Sequence, residues 1–298
     1  MGRMNLSLPA VGRFVLSSVV RSHGWYALAP FDWDADAGAL MRIERLNSSR
    51  VVALWLSQAA DGVSVTVSEK LSASESDEVA RKASWMLGLS QDLGAFHRVA
   101  RDEPRLDHVV PGAQGRFLRS PTVFEDVVKT ILSTNTSWSG TVRMTANLVA
   151  ELGELYCDEA GGEPDGRCTF PTASALAMSD EMVLRDRVRL GYRAPFVLDL
   201  ARAVDSGKID LEPLKTSSDS SAELRRRLMT IKGVGSYAAA SVLLLLGRYD
   251  FVPVDSTARA SVSREWYGGQ PVGAAEVEAA FERWGAWKGL VYWFWAWS

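Results

Sequence analysis

The chain has 298 residues, 47% of them hydrophobic and 23% charged, with a formal net charge of -3, which is an ordinary globular composition with length for two or three subdomains around a substantial core. No apolar run approaches a membrane span. Two cysteines and three histidines (Cys157, Cys168, His23, His97, His108) offer no zinc or iron–sulfur spacing. The slight acidity does not advertise a nucleic-acid binder, although phosphate contacts need a local basic patch rather than a basic total.

The start, MGRMNLSLPAVGRFVLSSVV, has Arg13 inside its apolar part and no signal-peptide layout; a reducing cytoplasm is the expected compartment. The first part of the chain reads as β-rich. Arg13–Leu16, Leu40–Ile43, Val51–Leu56 and Val63–Val67 are short strand-like runs. The last alternates apolar and polar residues with period two, and Asp61-Gly62 before it suits a hairpin turn. A polar stretch, Ser72 to Asp77, leads into a helix through Val79 to Leu87, with Ser74 and Asp77 at capping-box spacing. Gln91-Asp92-Leu93 reads as a further helix start capped by Asp92.

Pro121 and Glu125 mark the entry of a helix whose Phe124, Val127, Val128, Ile131 and Leu132 form one buried face. It ends in a polar run, Ser133 to Ser137, followed by Trp138. Two readings are open there. Asn135 offers a donor and an acceptor to a base edge and Trp138 can stack on a base; equally, this is a helix-to-helix loop with Trp138 in the core. Thr141–Leu152 is an amphipathic helix, residues 153–169 a Gly- and acid-rich loop, and Thr172 to Ala177 a short helix. Arg185, Arg187, Arg189 and Arg193 make the most basic stretch and a candidate phosphate-facing edge, with a solvated helix face as the rival. Near the end, a helix from Ala274 to Trp287 continues to Trp297, and its many aromatic residues read as packing.

The most informative stretch is Leu228 to Asp255, LMTIKGVGSYAAASVLLLLGRYDFVPVD. Leu228 and Ile231 share a helical face, Gly233-Val234-Gly235 supports a sharp reversal, and Ser236–Leu246 is an apolar helix stopped by Gly247. Unpaired N–H groups and the dipole at the start of the second helix suit an anion such as phosphate, and Lys232 adds charge beside it. Two core helices joined by a glycine turn is the plainer alternative. Asp255, before Ser256-Thr257, has the position of a helix N-cap.

Leu228, Ile231, Gly233, Val234, Gly235, Ala238 and Ala239, followed by Pro253-Val254-Asp255, resemble the helix-hairpin-helix (HhH-GPD) superfamily of DNA glycosylases. Leu190-Gly191-Tyr192-Arg193-Ala194 is similar to a segment of the 8-oxoguanine glycosylases. Gln91-Asp92-Leu93 with Phe96, and Trp284-Gly285-Ala286-Trp287-Lys288, are similar to segments of the alkylbase (3-methyladenine) glycosylases.

The resemblance implies an α+β, mostly helical fold. An antiparallel β-rich subdomain with a linking helix (1–115) would precede a helical domain with the active-site cleft (116–298). It implies a base excision repair enzyme that binds damaged double-stranded DNA as a monomer in the cytoplasm (at the nucleoid in a bacterium) and flips one base out. Asp255 would be the catalytic acid, ionised beside the sugar and helping to orient or deprotonate water. A carboxylate about 4 Å from an oxocarbenium-like centre contributes roughly 4 kcal/mol at an effective dielectric near 20, about a thousandfold in rate.

Lys232, Gly233, Val234, Gly235, Ser236 and Arg193 would face DNA. Tyr237, Asn135 and Trp138 would line the base pocket. The carbonyls of Met229, Ile231 and Val234 would hold a monovalent cation, sodium or potassium, with no other cofactor required. Bifunctional members carry a nucleophilic lysine where this chain has Tyr237, which implies a monofunctional enzyme. Thr257 stands where several relatives have His, which leaves the lesion open. The alternatives are a non-catalytic damage-binding protein and a glycosylase/lyase of 8-oxoguanine type.

Overall fold

The computed structural model describes residues 4–157 and 166–297. The fold is α+β and mostly helical, with one antiparallel sheet at the N-terminal end. The polypeptide segregates into two compact units, each discontinuous in sequence: residues 1–91 with 116–211, and residues 92–115 with 212–298. This division by compactness interleaves the chain, whereas the boundary read from the sequence is a linear one.

Among the described residues the first unit contains five strands: β1 (Met4–Pro9), β2 (Phe31–Asp34), β3 (Ala39–Arg45), β4 (Val51–Ala59) and β5 (Gly62–Val67), in the order β1-β5-β4-β3-β2 with every pair antiparallel. Three of the four expected strands are present. Arg13–Leu16 is instead the lead-in to α1 (Leu16–Val20). The two edge strands escape a search for apolar runs, because β1 alternates half-buried with exposed residues and β2 reads Phe-Asp-Trp-Asp. Their signal is period-two alternation. β4 and β5 are joined through Ala60-Asp61. Gly62, paired with Pro9 of β1, has no room for a side chain: a Cβ there would lie 2.2 Å from the Leu8 carbonyl oxygen.

α2 (Ala73–Met86) is capped two residues earlier than expected, by Ser72. Ser72 and Glu75 form the capping box, each satisfying the other's backbone N–H, rather than Ser74 and Asp77. α4 (Val123–Ser133) is buried all round from Val123 to Leu132, charged residues included. This goes beyond the one apolar face of the sequence and is made possible by ion pairing with the sheet. Arg42 on β3 donates to both oxygens of Glu125 (2.9 and 2.7 Å) and to Glu44 (2.6 Å), and Lys129 reaches Glu125 at 2.7 Å. Lys82 of α2 bridges Glu44 and Glu78, each at 2.8 Å. Buried charges persist only when paired in this way.

α5 (Trp138–Leu152), α6 (Ala173–Ala177) and α7 (Ala194–Asp205) complete the unit, and α6 packs on α7. Of the loop read at 153–169, residues 158–165 lie outside the described residues. Its ends pair through Leu155 and Cys168, and neither Cys157 nor Cys168 is in a disulfide.

The second unit contains α3 (Gly94–Arg101), α8 (Ser221–Leu228), α9 (Ser236–Leu245), α10 (Ser256–Trp266), α11 (Ala274–Phe281) and α12 (Lys288–Phe294). α3 begins beyond Asp92, whose Oδ1 accepts from the Gly94 N–H at 2.8 Å, with Leu93 at the cap position. α9 is apolar around its circumference and forms the centre of this unit, with α8 packed on it. The single C-terminal helix expected from the sequence is broken: Gly285 sits at φ 50°, ψ -119°, a backbone conformation reserved for glycine, and kinks the 3₁₀ stretch Glu282–Trp287 that leads into α12. Trp266, Phe281, Trp284, Tyr292, Trp295 and Trp297 pack together around that break, with most ring pairs edge-on or tilted. The aromatic block is packing, as its composition implied. Among the described residues no helix is long and apolar enough to cross a membrane.

Candidate active site

The site in the second unit is built from the hairpin between α8 and α9 and from the start of α10. α8 is held at its N-terminus by a capping box of Ser220 and Glu223. At its other end Leu228, Ile231 and Val234 are buried and pin the turn. Val234 N–H donates to the Ile231 carbonyl at 3.0 Å, and Gly233 takes φ +86°. Gly235 is a glycine for a different reason. It occupies the N-cap of α9 without a side chain, and a Cβ there would meet nothing within 4 Å. Its outer side is open, and so is the end of α9, whose first N–H groups have no intrahelical acceptor. Lys232 and Ser236 are exposed on the same turn. The hairpin therefore presents partial and formal positive charge to solvent.

Asp255 caps α10: its Oδ1 accepts from the Ala258 N–H at 2.7 Å. Among the described residues no hydrogen-bond donor engages Oδ2, and the residue is only half-buried. Cap and available carboxylate oxygen thus coexist in one side chain.

Two tyrosines lie within the field of this carboxylate. Tyr237, the second residue of α9, has its phenol pushed up, first by burial and then by the Asp255 charge. Tyr292 on α12 is pushed up for the same two reasons in the same order, with Tyr237 adding to them. Both phenols remain neutral. Tyr292 was not singled out in the sequence, where it lies inside an aromatic run with no distinguishing neighbour. Gly289, one turn before it, carries the placement. Its N–H donates to the Tyr249 carbonyl at 2.7 Å, and a Cβ there would lie 2.6 Å from the Phe251 carbonyl oxygen. α12 can therefore lie against the segment that runs on to Asp255.

The remaining expected site residues belong to the first unit. Asn135 lies in the left-handed region (φ 47°), which Asn tolerates better than most residues. Trp138 opens α5 and is 44% exposed, which removes the reading of a core tryptophan. Arg193 requires correction as a phosphate contact. It is buried, and its guanidinium donates to the Thr134 and Asn135 carbonyls, so its charge is taken up by the backbone of the Asn135 turn. Arg185 and Arg187, from the same basic stretch, pair with Glu181 (2.6 Å) and Glu151 (2.9 Å). Among the described residues no group of three His, Cys, Asp or Glu is placed to hold a metal ion.

With this geometry in hand, comparison with known proteins is direct. The model of the HhH-GPD superfamily of base excision DNA repair proteins matches residues 128–286, and the chain belongs to that superfamily. A putative DNA-3-methyladenine glycosylase of Bacillus subtilis is 27% identical over 104 residues, a match that spans 35% of this chain and 36% of that relative's length. Among solved structures, a 3-methyladenine DNA glycosylase from Archaeoglobus fulgidus superposes with a TM-score of 0.73 at 23% identity, over 99% of this chain and 97% of that one. The 8-oxoguanine glycosylase/lyase of Clostridium acetobutylicum superposes with a TM-score of 0.68 at 20% identity, over 92% of each chain. At these identities the structural matches establish the fold, which these two kinds of glycosylase share.

Proposed function

We propose that this protein is a monofunctional DNA glycosylase that extrudes a damaged base from double-stranded DNA and hydrolyses its N-glycosidic bond with Asp255. The observation that carries the reading is the identity of the residue in the first turn of α9 that feels the Asp255 charge. It is Tyr237, a phenol pushed up by burial and by that carboxylate, where a lyase needs a nucleophilic amine. Water is then the attacking group. The Asp255 oxygen left by the cap stabilises the cationic sugar as the base departs and orients that water. The open end of α9, with Lys232 and Ser236, binds backbone phosphate.

The carbonyls of Met229, Ile231 and Val234 fit a monovalent cation. The Met229 and Val234 carbonyls accept no hydrogen bond among the described residues, and Ile231 accepts a single one. These three would hold the ion, which would add charge on the phosphate side of the hairpin.

Among the described residues no carboxylic acid or imidazole bonds to Asp255, Tyr237 or Tyr292, and the two phenols, pushed up by burial and by Asp255, are poor proton donors to a leaving base. That supports lesions that leave readily, N-alkylated purines above all, and agrees with what the Bacillus subtilis and Archaeoglobus fulgidus relatives are named for. The 8-oxoguanine glycosylase/lyase likeness supports a second reading, a bifunctional enzyme.

Duplexes carrying alkylated purines or 8-oxoguanine, incubated with the protein and split into alkali-treated and untreated halves, separate the two. The expected outcome is strand cleavage only after alkali and no borohydride-trapped protein–DNA adduct. Cleavage without alkali, together with a trapped adduct, would establish a lyase amine and overturn the role given to Tyr237.

A further inference from the structure

Gly24 is a glycine for lack of space rather than for backbone conformation. Its φ is not in the left-handed region. A methyl group on it would stand 2.2 Å from Cζ2 and 2.3 Å from Cη2 of Trp138, so the indole lies against bare main chain. That main chain is fixed on both sides of Gly24. His23 donates from Nε2 to the Leu118 carbonyl at 2.7 Å, and Trp25 donates from Nε1 to Asp126 Oδ1 at 2.8 Å. The His23 and Trp25 rings meet edge-on at 4.7 Å.

The other side of the arrangement is equally constrained. Ser137 caps α5 directly before Trp138, and Arg193 holds the carbonyls of Thr134 and Asn135 from the interior. Thr134 Oγ1 donates back to the Ile131 carbonyl at 2.8 Å. Trp138 is thus backed by fixed main chain, mounted on a braced turn, and still 44% exposed. A large flat aromatic surface held out in this way is a stacking platform for another flat ring. The Asn135 amide, on the same turn, adds a donor and an acceptor for a ring edge.

We propose that Gly24 is a positioning residue that holds Trp138 as a platform for an unpaired nucleobase. The proposal rests on the reading of the chain as a glycosylase, because base extrusion leaves two bases without partners: the extruded one and the one it was paired with. Both present the same chemistry to an indole, and the experiment separates them.

Two duplexes serve as probes. One carries 2-aminopurine opposite a tetrahydrofuran abasic analogue, the other 2-aminopurine as the mispaired base to be extruded. Fluorescence titrations use the wild type, Trp138→Ala, Trp138→Phe, Gly24→Ala and the Gly24→Ala/Trp138→Ala double variant, with thermal melting to confirm that each is folded. Stacking on an indole quenches 2-aminopurine. The wild type is expected to quench one duplex, which identifies the stacked base.

Trp138→Ala should restore the emission and weaken binding about tenfold, within the range for loss of one base–aromatic stack. Trp138→Phe should keep most of the affinity. Gly24→Ala, by displacing the indole, should weaken binding only when Trp138 is present, so that it adds nothing in the double variant. An equal Gly24→Ala effect with and without Trp138 would overturn the positioning role. Unchanged emission and affinity in Trp138→Ala would overturn the platform itself. If the wild type binds neither duplex, the glycosylase reading fails first and takes this proposal with it.

Discussion

Asp126 and His23 occupy the same interior, and burial acts on them with opposite sign. Burial pushes the Asp126 carboxyl up to about 6, against the donated N–H groups of Ser120 and Trp25. His23 is lowered to about 4 by burial, and the nearby Lys129 adds to the effect. For Asp126, the folded state binds a proton between pH of about 4 and 6 that the unfolded chain has released. Its contribution to stability is therefore full below about 4 and lost as pH rises through 6. For His23, the unfolded chain binds the extra proton between about 4 and 6.5, so its contribution rises across that interval.

The two slopes oppose each other in the wild type. Asp126→Asn keeps an oxygen for the Trp25 and Ser120 donors and removes one slope. Relative to the wild type, its stability is expected to rise between pH 4 and 6 by roughly 2–3 kcal/mol, as measured by urea unfolding across that range. A pH-independent difference would show that Asp126 does not titrate there. None of this was legible in the sequence. Asp126 follows Glu125 in a simple acidic first turn, yet the burial of Glu125 depends on β3 supplying Arg42 from 83 residues away, and that of Asp126 on Trp25 from 101 residues away.

At the level of elements, α4 depends on ions as much as on its apolar face. Burial lowers the affinity of the Lys129 amine for its proton, and the Glu125 charge pulls against that; Glu125 itself lies at about 2, burial opposing the attraction of Arg42 and Lys129. Glu125→Gln would leave Lys129 fully buried without its counter-ion and Arg42 with Glu44 alone. The expected cost is about 3–5 kcal/mol in chemical denaturation, the usual penalty for removing one partner of a buried pair. A loss under 1 kcal/mol would show that the cluster is solvated.

Elements with strong local codes were readable: the β4–β5 hairpin, the periodic face of α4, and α9 with its glycine boundaries. The edge strands β1 and β2 were not, because half-exposed strands carry alternation rather than hydrophobic content. Nor was the break at Gly285, since a glycine inside a helical pattern is compatible with either continuation or interruption.

At the level of the whole molecule, the hairpin and its following acid lie within one compact unit, close together in sequence, and for that reason the central part of the site could be read without coordinates. Tyr292 and Gly24 could not. The first feels the Asp255 charge from α12, and the second touches Trp138 across 114 positions of sequence. An overall charge of -3 proved uninformative about the positive hairpin, which depends on a helix terminus and Lys232 rather than on a basic total.

The most direct test is single-turnover base excision by Asp255→Asn on the best lesion duplex, beside its thermal melting curve. Asn caps a helix about as well as Asp, so the fold should be retained. With the cap preserved, the expected result is an unchanged melting temperature and an excision rate about a thousandfold lower, the loss of roughly 4 kcal/mol of transition-state stabilisation. A folded Asp255→Asn variant that excises the base at the wild-type rate would contradict the catalytic role and leave Asp255 as a helix cap.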